Sequence, residues 1–260
     1  MGIIAHGLIF HGMPERYDEI GRTYSMSRRT DPMIASALEV ALGESGTVLN
    51  VGAGTGSYEP RERDVIALEP SPVMIAQRRR DAAPAVRGRA EALPFDNASF
   101  DAVMGVLTVH HWSDWRRGLA ECARVARNRV VLLTWDPSIA TFWLVNEYFP
   151  EHVAFDRRRF PSMIELTDVL GAIQTEPVLV PANCKDGFLG AFWRRPEAYL
   201  RPELRDGMSA FAQLPQAEAR FARLKDDIAS GKWHRMHADL LSLDAIDLGY
   251  RLVIAHARSH

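Results

Sequence analysis

The sequence is most constrained by a glycine-rich stretch that directly follows an apolar run. Residues 48–57 read VLNVGAGTGS, with glycine at the alternate positions Gly52, Gly54 and Gly56. Glycine lets the backbone turn tightly and approach a ligand closely, because it has no Cβ. A second apolar run, residues 65–68, ends at Glu69. A carboxylate at the tip of the next parallel strand can accept hydrogen bonds from both hydroxyls of a ribose. The two features together predict a pocket for a nucleoside.

The spacing of the glycines distinguishes this loop from the dinucleotide fingerprint. The pattern is Gly-x-Gly-x-Gly followed by Ser57, so the third glycine stands one position earlier than in Gly-x-Gly-x-x-Gly. This spacing argues against a pyrophosphate cradle, and therefore against an NAD-dependent reductase.

Four stretches in order make the chain resemble the class I S-adenosylmethionine-dependent methyltransferases. They are the glycine loop, VIALEPSPVMIAQR (65–78), AEALPFDNASFDAVMGVLTVHHW (90–112) and RVVLLTWDP (129–137). With YDEIGRTYSMSRRTDP (17–32) they cover roughly the first half of the chain. Two positions depart from the family pattern. Asn50 ends the first strand in place of an acidic residue, and residues 126–129 replace the common Pro-Gly-Gly. We expect Asn50 to hydrogen-bond the backbone of the loop.

Apolar runs alternate with helix signals along the first half. Residues 47–51, 65–68, 100–106 and 130–135 read as buried strands, with a weaker one near Val86. Asp31-Pro32 and Ser71-Pro72 each predict a helix start, the first for a helix that ends at Gly43. The alternation predicts an α/β fold whose ligand site lies at the carboxyl ends of parallel strands. The resemblance implies a Rossmann-like, seven-stranded, mostly parallel sheet of order 3-2-1-4-5-7-6, with the last strand antiparallel.

The second half departs from simple alternation. A capping box at Ser162 to Glu165 predicts a helix, residues 177–181 a short strand, and residues 249–255 the last strand. The insertion between those two strands is too long for a hairpin loop, so we expect a helical cap. The predicted organisation is an N-terminal extension or lid at 1–30, a cofactor-binding core at 31–137, a helical cap segment at 138–176, and the remaining core strands at 177–260 with a helical insertion at about 190–243.

Composition bounds the partners. The chain has 260 residues, 31 basic against 33 acidic, so charge gives no case for a nucleic-acid or membrane partner. Cys122 and Cys184 lie far apart without metal-ligand spacing, which favours a reducing cytoplasm and argues against a metal site. Residues 1–12 are a poor secretion signal and too short to span a membrane. We expect a small-molecule acceptor, no nucleic acid and no membrane, and leave homo-oligomerisation open.

The resemblance implies a set of cofactor-binding residues. Glu91 precedes the family position that contacts adenine, with Ala92 and Leu93 packing on the ring. Arg28 is a natural partner for the methionine carboxylate, although this segment also fits a helix that packs on the core. The predicted cofactor-binding residues are Tyr17, Tyr24, Arg28, Gly52, Ala53, Gly54, Gly56, Glu69, Pro70, Ser71, Met74, Glu91, Ala92, Leu93, Val106 and His111. We also predict that residues 17–28 act as a lid over the cofactor.

The acceptor end is predicted from histidines and aromatic residues. His110 and His111 follow the fourth strand, where the methyl group should point, so either is a candidate general base or a positioning residue. Aromatic residues either line an acceptor pocket or join cap to core. The predicted substrate-binding residues are Trp135, Phe142, Trp143, Phe188 and Trp193.

The resulting hypothesis is a methyltransferase that uses S-adenosylmethionine and releases S-adenosylhomocysteine. The acceptor would be an oxygen, nitrogen or carbon atom of a small, apolar or aromatic metabolite. In-line attack on a reactive sulfonium needs alignment and exclusion of water more than covalent help. The alternative is a non-catalytic subunit that binds the cofactor in a regulatory or assembly role.

Overall fold

A mixed sheet of seven strands forms the centre of the protein. The computed structural model describes residues 28–139, 142–205, 208, 211 and 217–256. The strands in these residues are β1 Thr47–Val51, β2 Asp64–Glu69, β3 Ala85–Arg87, β4 Phe100–Val106, β5 Ala126–Trp135, β6 Ile173–Pro177, β7 Val180–Pro181, β8 Ala245–Ile246 and β9 Tyr250–His256. The main sheet has the order β3-β2-β1-β4-β5-β9-β6, and only β9 runs antiparallel to its neighbours. The predicted fold class and strand order are confirmed.

Helices connect the strands. Those in the described residues are α1 Pro32–Leu42, α2 Pro72–Ala76, α3 Trp115–Val125, α4 Pro150–Arg157, α5 Met163–Leu170, α6 Pro202–Arg205, α7 Ala217–Ala229 and α8 Lys232–Met236. A π-helical turn covers Leu144–Tyr148, and short 3₁₀ turns cover Leu189–Phe192 and Pro196–Leu200. None of these helices is long and apolar enough to cross a membrane.

Local side-chain caps explain where three of the helices begin. The Asp31 carboxylate accepts hydrogen bonds from the backbone N–H groups of Met33 and Ile34 at the start of α1. Ser71 caps α2 in the same way, and proline follows each cap, where a missing N–H leaves no bond unmade. Ser162 and Glu165 form the reciprocal capping box of α5. All three predicted helix starts are confirmed.

The two faces of the sheet carry different layers. Val130 and Leu132 of β5 pack with α3 and α5 on one face. Val131 and Leu133 pack on the other face with α1 and the aromatic residues of the second half. Successive side chains of a strand point to opposite faces, so a continuous apolar run supplies both layers.

Two strands differ from the sequence prediction. The expected strand at 177–181 is divided, because β6 ends at Pro177 and β7 pairs with β8 in a small separate sheet. Proline has no N–H to donate to a ladder, so Pro177 is a natural end for an edge strand. Strand β5 begins at Ala126 rather than at 130, with an irregular register opposite Phe100 and Ala102.

The stretch 138–176 contains more than cap. Strand β6 begins at Ile173 inside it, and α5 packs beside α3 on the sheet. The helical elements between β7 and β8 lie in the predicted insertion at about 190–243, and they bury Trp193 and Trp233 almost completely.

Candidate cofactor site

The glycine loop lies at the carboxyl end of β1, which pairs with β2 on one side and β4 on the other. At this point the strand order reverses direction, and open α/β sheets bind ligands at such a switch point. Gly52, Gly54 and Gly56 have φ values of 69°, 54° and 92°. A Cβ on Gly52 would lie 1.9 Å from Thr108 Oγ1, so only glycine fits there. Thr108 therefore excludes a side chain at Gly52, and all three glycines have a backbone conformation that other residues adopt only at a cost.

Glu69 is fixed on both sides by backbone donors. The Gly54 N–H donates to Glu69 Oε2 at 2.8 Å, and the Ser71 N–H donates to Oε1 at 3.0 Å. The residue is 4% exposed and lines the cleft above the strands. The carboxylate is thus oriented before any ligand arrives, as recognition of a ribose diol requires.

A buried ion pair supports the loop from behind. Arg78 Nη2 lies 2.7 Å from Glu59 Oε1, and both side chains are nearly inaccessible. Arg78 also donates to the Gly54 carbonyl at 3.2 Å. Asn50 donates to Glu59 at 3.2 Å and not to the loop, which corrects the expectation for this residue. The sequence reasoning missed Glu59 and Arg78, since a charged pair 19 residues apart has no local signature.

The cleft unites eight of the sixteen predicted cofactor-binding residues, and it also includes the catalytic candidate His110. Predicted residues that line it are Gly52, Gly54, Glu69, Pro70, Met74, Glu91, Val106, His110 and His111. Lining residues that were not predicted as site residues are Leu68, Arg89, Ala90, Leu107, Thr108, Trp112, Ser113 and Arg159. Ala53 and Ser71 are buried beneath the cleft surface, and Gly56 does not line it.

Only part of the segment predicted to contact adenine lines the cleft. Arg89, Ala90 and Glu91 line the cleft, whereas Ala92 is exposed elsewhere and Leu93 is buried in the core.

Glu91 accepts hydrogen bonds from residues 113 and 114, in the loop that follows the histidines. Burial disfavours its charge, but hydrogen bonds from the Asp114 N–H and from Ser113 outweigh burial and lower the pKa of Glu91. The carboxylate is therefore charged at neutral pH and joins its own segment to that loop.

The two histidines lie at the other end of the cleft. The ring of His110 stacks on Phe160 with centroids 4.0 Å apart. Arg159 Nη2 lies 3.1 Å from His111 Nδ1 and 3.4 Å from the His110 carbonyl. Leu107, just before this turn, has φ of 49°, a conformation that costs a non-glycine residue about 1 kcal/mol or more. The surrounding structure must therefore hold Leu107 in this conformation.

The N-terminal predictions are only partly accessible to the structure. Tyr17 and Tyr24 lie outside the described residues, as does most of the predicted lid. Arg28 forms an ion pair with the buried Asp186, at 2.6 Å from Nε to Oδ1. Tyr58 also donates to Asp186, at 3.0 Å. The structure therefore places Arg28 against the Asp186 loop and not among the residues that line the cleft.

The predicted substrate aromatics do not line the cleft. Phe142, Trp143, Phe188 and Trp193 are buried in the main core cluster. Trp135 donates to the Leu248 carbonyl and contacts Phe160 edge-on, and Phe160 in turn stacks on His110. Their placement matches the alternative considered for these residues, the packing of cap onto core.

The part of the chain that the structure describes has neither a metal-ligand cluster nor a thiol with a lowered pKa. It holds no cluster of three or more His, Cys, Asp or Glu side chains able to bind a metal. Burial raises the pKa of Cys184 to about 12 and that of Cys122 further still, so both thiols stay protonated.

Comparison with known proteins decides the family. A family model described as a methyltransferase domain matches residues 49–134. A crystal structure from Anabaena variabilis, assigned to methyl transfer in an antibiotic biosynthesis pathway, is 32% identical. It aligns with a TM-score of 0.80 over 90% of this chain and 99% of its own. The chain belongs to the S-adenosylmethionine-dependent methyltransferases. The resemblance to this family that the sequence showed is confirmed.

Curated relatives of this methyltransferase cover a smaller part of it. The demethylmenaquinone methyltransferase of Renibacterium salmoninarum is 31% identical over 153 residues, which span 56% of this chain and 64% of the relative. The enzyme of the same name from Deinococcus radiodurans is 31% identical over 160 residues, which span 56% of this chain and 66% of the relative. The chain thus spans just under two thirds of the length of these relatives.

The region matched by the family model contains most of the residues that line the cleft, but not all of them. The family model covers the glycine loop, Glu69, Glu91 and both histidines, but not Arg159. The end of the cleft beside the glycine loop therefore lies within the shared domain. The end beside the histidines is completed by the second half of the chain.

Proposed function

We infer that this protein binds S-adenosylmethionine in the cleft and transfers its methyl group to a small-molecule acceptor. The observation that carries the proposal is the fixed carboxylate of Glu69, which the N–H groups of Gly54 and Ser71 hold at the cleft surface. Positive φ values at the three loop glycines support the proposal, because a backbone without Cβ atoms can come close to a ligand. These residues fit a nucleoside cofactor.

The assignment of roles follows from the two ends of the cleft. Glu69 would accept hydrogen bonds from the ribose hydroxyls, and Arg89, Ala90 and Glu91 would face the base. Pro70, Met74 and Val106 supply apolar walls. When bound, the cofactor supplies an electrophilic methyl group on a sulfonium. The chain supplies alignment of the acceptor and exclusion of water, which suffice for an intrinsically reactive donor.

We place the acceptor at the end of the cleft formed by His110, His111, Trp112 and Arg159. A small apolar or aromatic metabolite is favoured, since the curated relatives are named for methylation of demethylmenaquinone. Two free, buried cysteines are consistent with a cytoplasmic location. The relatives' names also favour catalysis over the alternative of a non-catalytic cofactor-binding subunit.

The direct test is a transfer assay with radiolabelled S-adenosylmethionine and a panel of quinols and phenols. We expect label in an organic product and stoichiometric S-adenosylhomocysteine. Calorimetry with S-adenosylhomocysteine serves as the parallel binding measurement. Tight binding with no transfer to any acceptor would favour the non-catalytic alternative, and absence of binding would contradict the proposal.

A further inference from the structure

The contact between Arg159 and His111 determines which proton the histidine carries. An arginine guanidinium stays protonated in proteins and has no acceptor site, so it can only donate. Arg159 Nη2 lies 3.1 Å from His111 Nδ1. Nδ1 must therefore be the acceptor. A neutral imidazole whose Nδ1 accepts carries its proton on Nε2.

The guanidinium is itself held in place. Its carbon lies 5.0 Å from the centroid of the Phe155 ring, and Nη2 also approaches the His110 carbonyl at 3.4 Å. The backbone N–H of Arg159 donates to the Asp156 carbonyl at the end of α4. These contacts fix the cation relative to the histidine turn, although the two residues are 48 positions apart in the chain.

We propose that Arg159 is a positioning residue that keeps His111 neutral and makes it a hydrogen-bond donor, not a general base, at the acceptor end of the cleft. The proposal rests on the proposed function for its meaning in catalysis. Protonation of His111 at Nδ1 would break the contact and bring two positive charges together. The ring therefore resists taking a proton from an acceptor.

This role constrains the reaction. In methyl transfer the bond from carbon to sulfur breaks, its electron pair stays on sulfur, and a new bond forms from the acceptor to the methyl carbon. An acceptor that has lost its proton before the attack needs no base. A donor N–H beside a fixed cation suits an acceptor with an anionic oxygen, such as an ionised hydroxyl group.

Other charged groups of the cleft also act on His111. The His110 ring lies 3.8 Å from the His111 ring, and Glu69, Glu91 and Arg89 line the same cleft. The two carboxylates favour protonation of the histidine, whereas Arg159 and Arg89 oppose it. Arg159 makes direct contact with the ring, so we expect removal of its charge to dominate.

The test is an NMR titration of the histidine ring nitrogens in the ¹⁵N-histidine-labelled full chain, without donor or acceptor. The His111→Gln variant identifies the His111 signals among the nine histidines. We expect the wild-type ring to be neutral with the proton on Nε2. In the Arg159→Gln variant we expect the His111 ring to become protonated at a pH roughly one unit higher than in the wild type. This is a tenfold change in the protonation constant.

A matched control is available next door. Arg158 is exposed, so Arg158→Gln removes the same charge without the contact and should titrate like the wild type. The proposal would be overturned if His111 titrated with the same midpoint in the wild type and in Arg159→Gln. It would also be overturned if both variants shifted the midpoint equally, or if the wild-type ring carried its proton on Nδ1.

Two features keep the experiment decisive. Arg159→Met offers an uncharged side chain of similar reach if Arg159→Gln does not fold, and the wild-type tautomer needs no variant at all. Because neither donor nor acceptor is present, the result is independent of whether methyl transfer is found.

Discussion

The glycine-loop region and the aromatic-rich region of this protein use conspicuous residues in opposite ways. Between residues 48 and 71 the conspicuous residues Gly52, Gly54 and Glu69 form part of the surface of the cleft. Between residues 142 and 193 the conspicuous residues are aromatic, and the four predicted to bind substrate are buried in the core. Special backbone conformation is therefore a better guide to a site here than aromatic content. Apolar rings satisfy packing and recognition equally well.

The difference between the two regions leads to a prediction. Substitutions in the aromatic region should affect folding, whereas substitutions in the glycine-loop region should affect cofactor binding. Three variants test it, from the largest expected effect to the smallest, and a fourth, at Glu91, tests a cleft residue outside both regions.

Trp193→Ala should lower the free energy of unfolding by about 3–5 kcal/mol, because the side chain is fully buried and its Nε1 donates to the Val180 carbonyl. Urea denaturation measures this loss, and Trp193→Phe is a milder variant if alanine prevents folding. Leu179→Ala, at a position 46% exposed, is the control and should change little. A loss below about 1 kcal/mol for Trp193→Ala would remove the contrast between the regions.

Gly54→Val should leave a folded protein that binds S-adenosylhomocysteine at least about a hundredfold more weakly, or about 2.7 kcal/mol. The backbone has φ of 54° at a position that lines the cleft, where a β-branched side chain is both strained and obstructive. Calorimetry checks affinity and circular dichroism checks folding. Gly46→Ala is the control, since a Cβ there meets only Asp101 at 3.5 Å. Wild-type affinity in folded Gly54→Val would reduce the loop to a plain turn.

Glu69→Gln should weaken binding of S-adenosylhomocysteine about tenfold, because charge-assisted hydrogen bonds to the ribose become neutral ones. Glutamine keeps the shape of the side chain and one acceptor oxygen, so one of the N–H groups of Gly54 and Ser71 keeps its partner while the other faces the amide NH2. The matched control is Glu176→Gln on the exposed edge strand. Unchanged affinity in isothermal titration would refute the ribose assignment.

Glu91→Gln should change the acid dependence of stability slightly. The pKa of Glu91 is lowered in the folded state, so its hydrogen bonds stabilise the protein above the unfolded pKa of about 4.3 and are lost as pH falls through the folded value. The residue is only partly buried, so the expected effect is below about 1 kcal/mol. Unfolding measured from about pH 6 to about pH 3 should show a shallower decline in the variant. A decline as steep as that of the wild type would mean that these hydrogen bonds contribute nothing.

Local signals in the sequence determined the framework of this protein. Asp31-Pro32, Ser71-Pro72 and the Ser162–Glu165 box set helix starts, because each cap bonds only to its own next turn. Short apolar runs set the strands, and the glycine loop with Glu69 set one end of the cleft. These determinants act within a few residues or on adjacent strand ends, so a single sequence shows them.

The tertiary structure alone decided what completes the site. Arg78 donates to the Gly54 carbonyl, 24 positions away in the chain, and Arg159 contacts His111, 48 positions away. Arg28 forms its ion pair with Asp186, 158 positions away. It likewise decided that Trp193 packs in the core. Such contacts depend on how distant elements pack, and a charged or aromatic side chain looks the same in sequence whichever neighbour it meets.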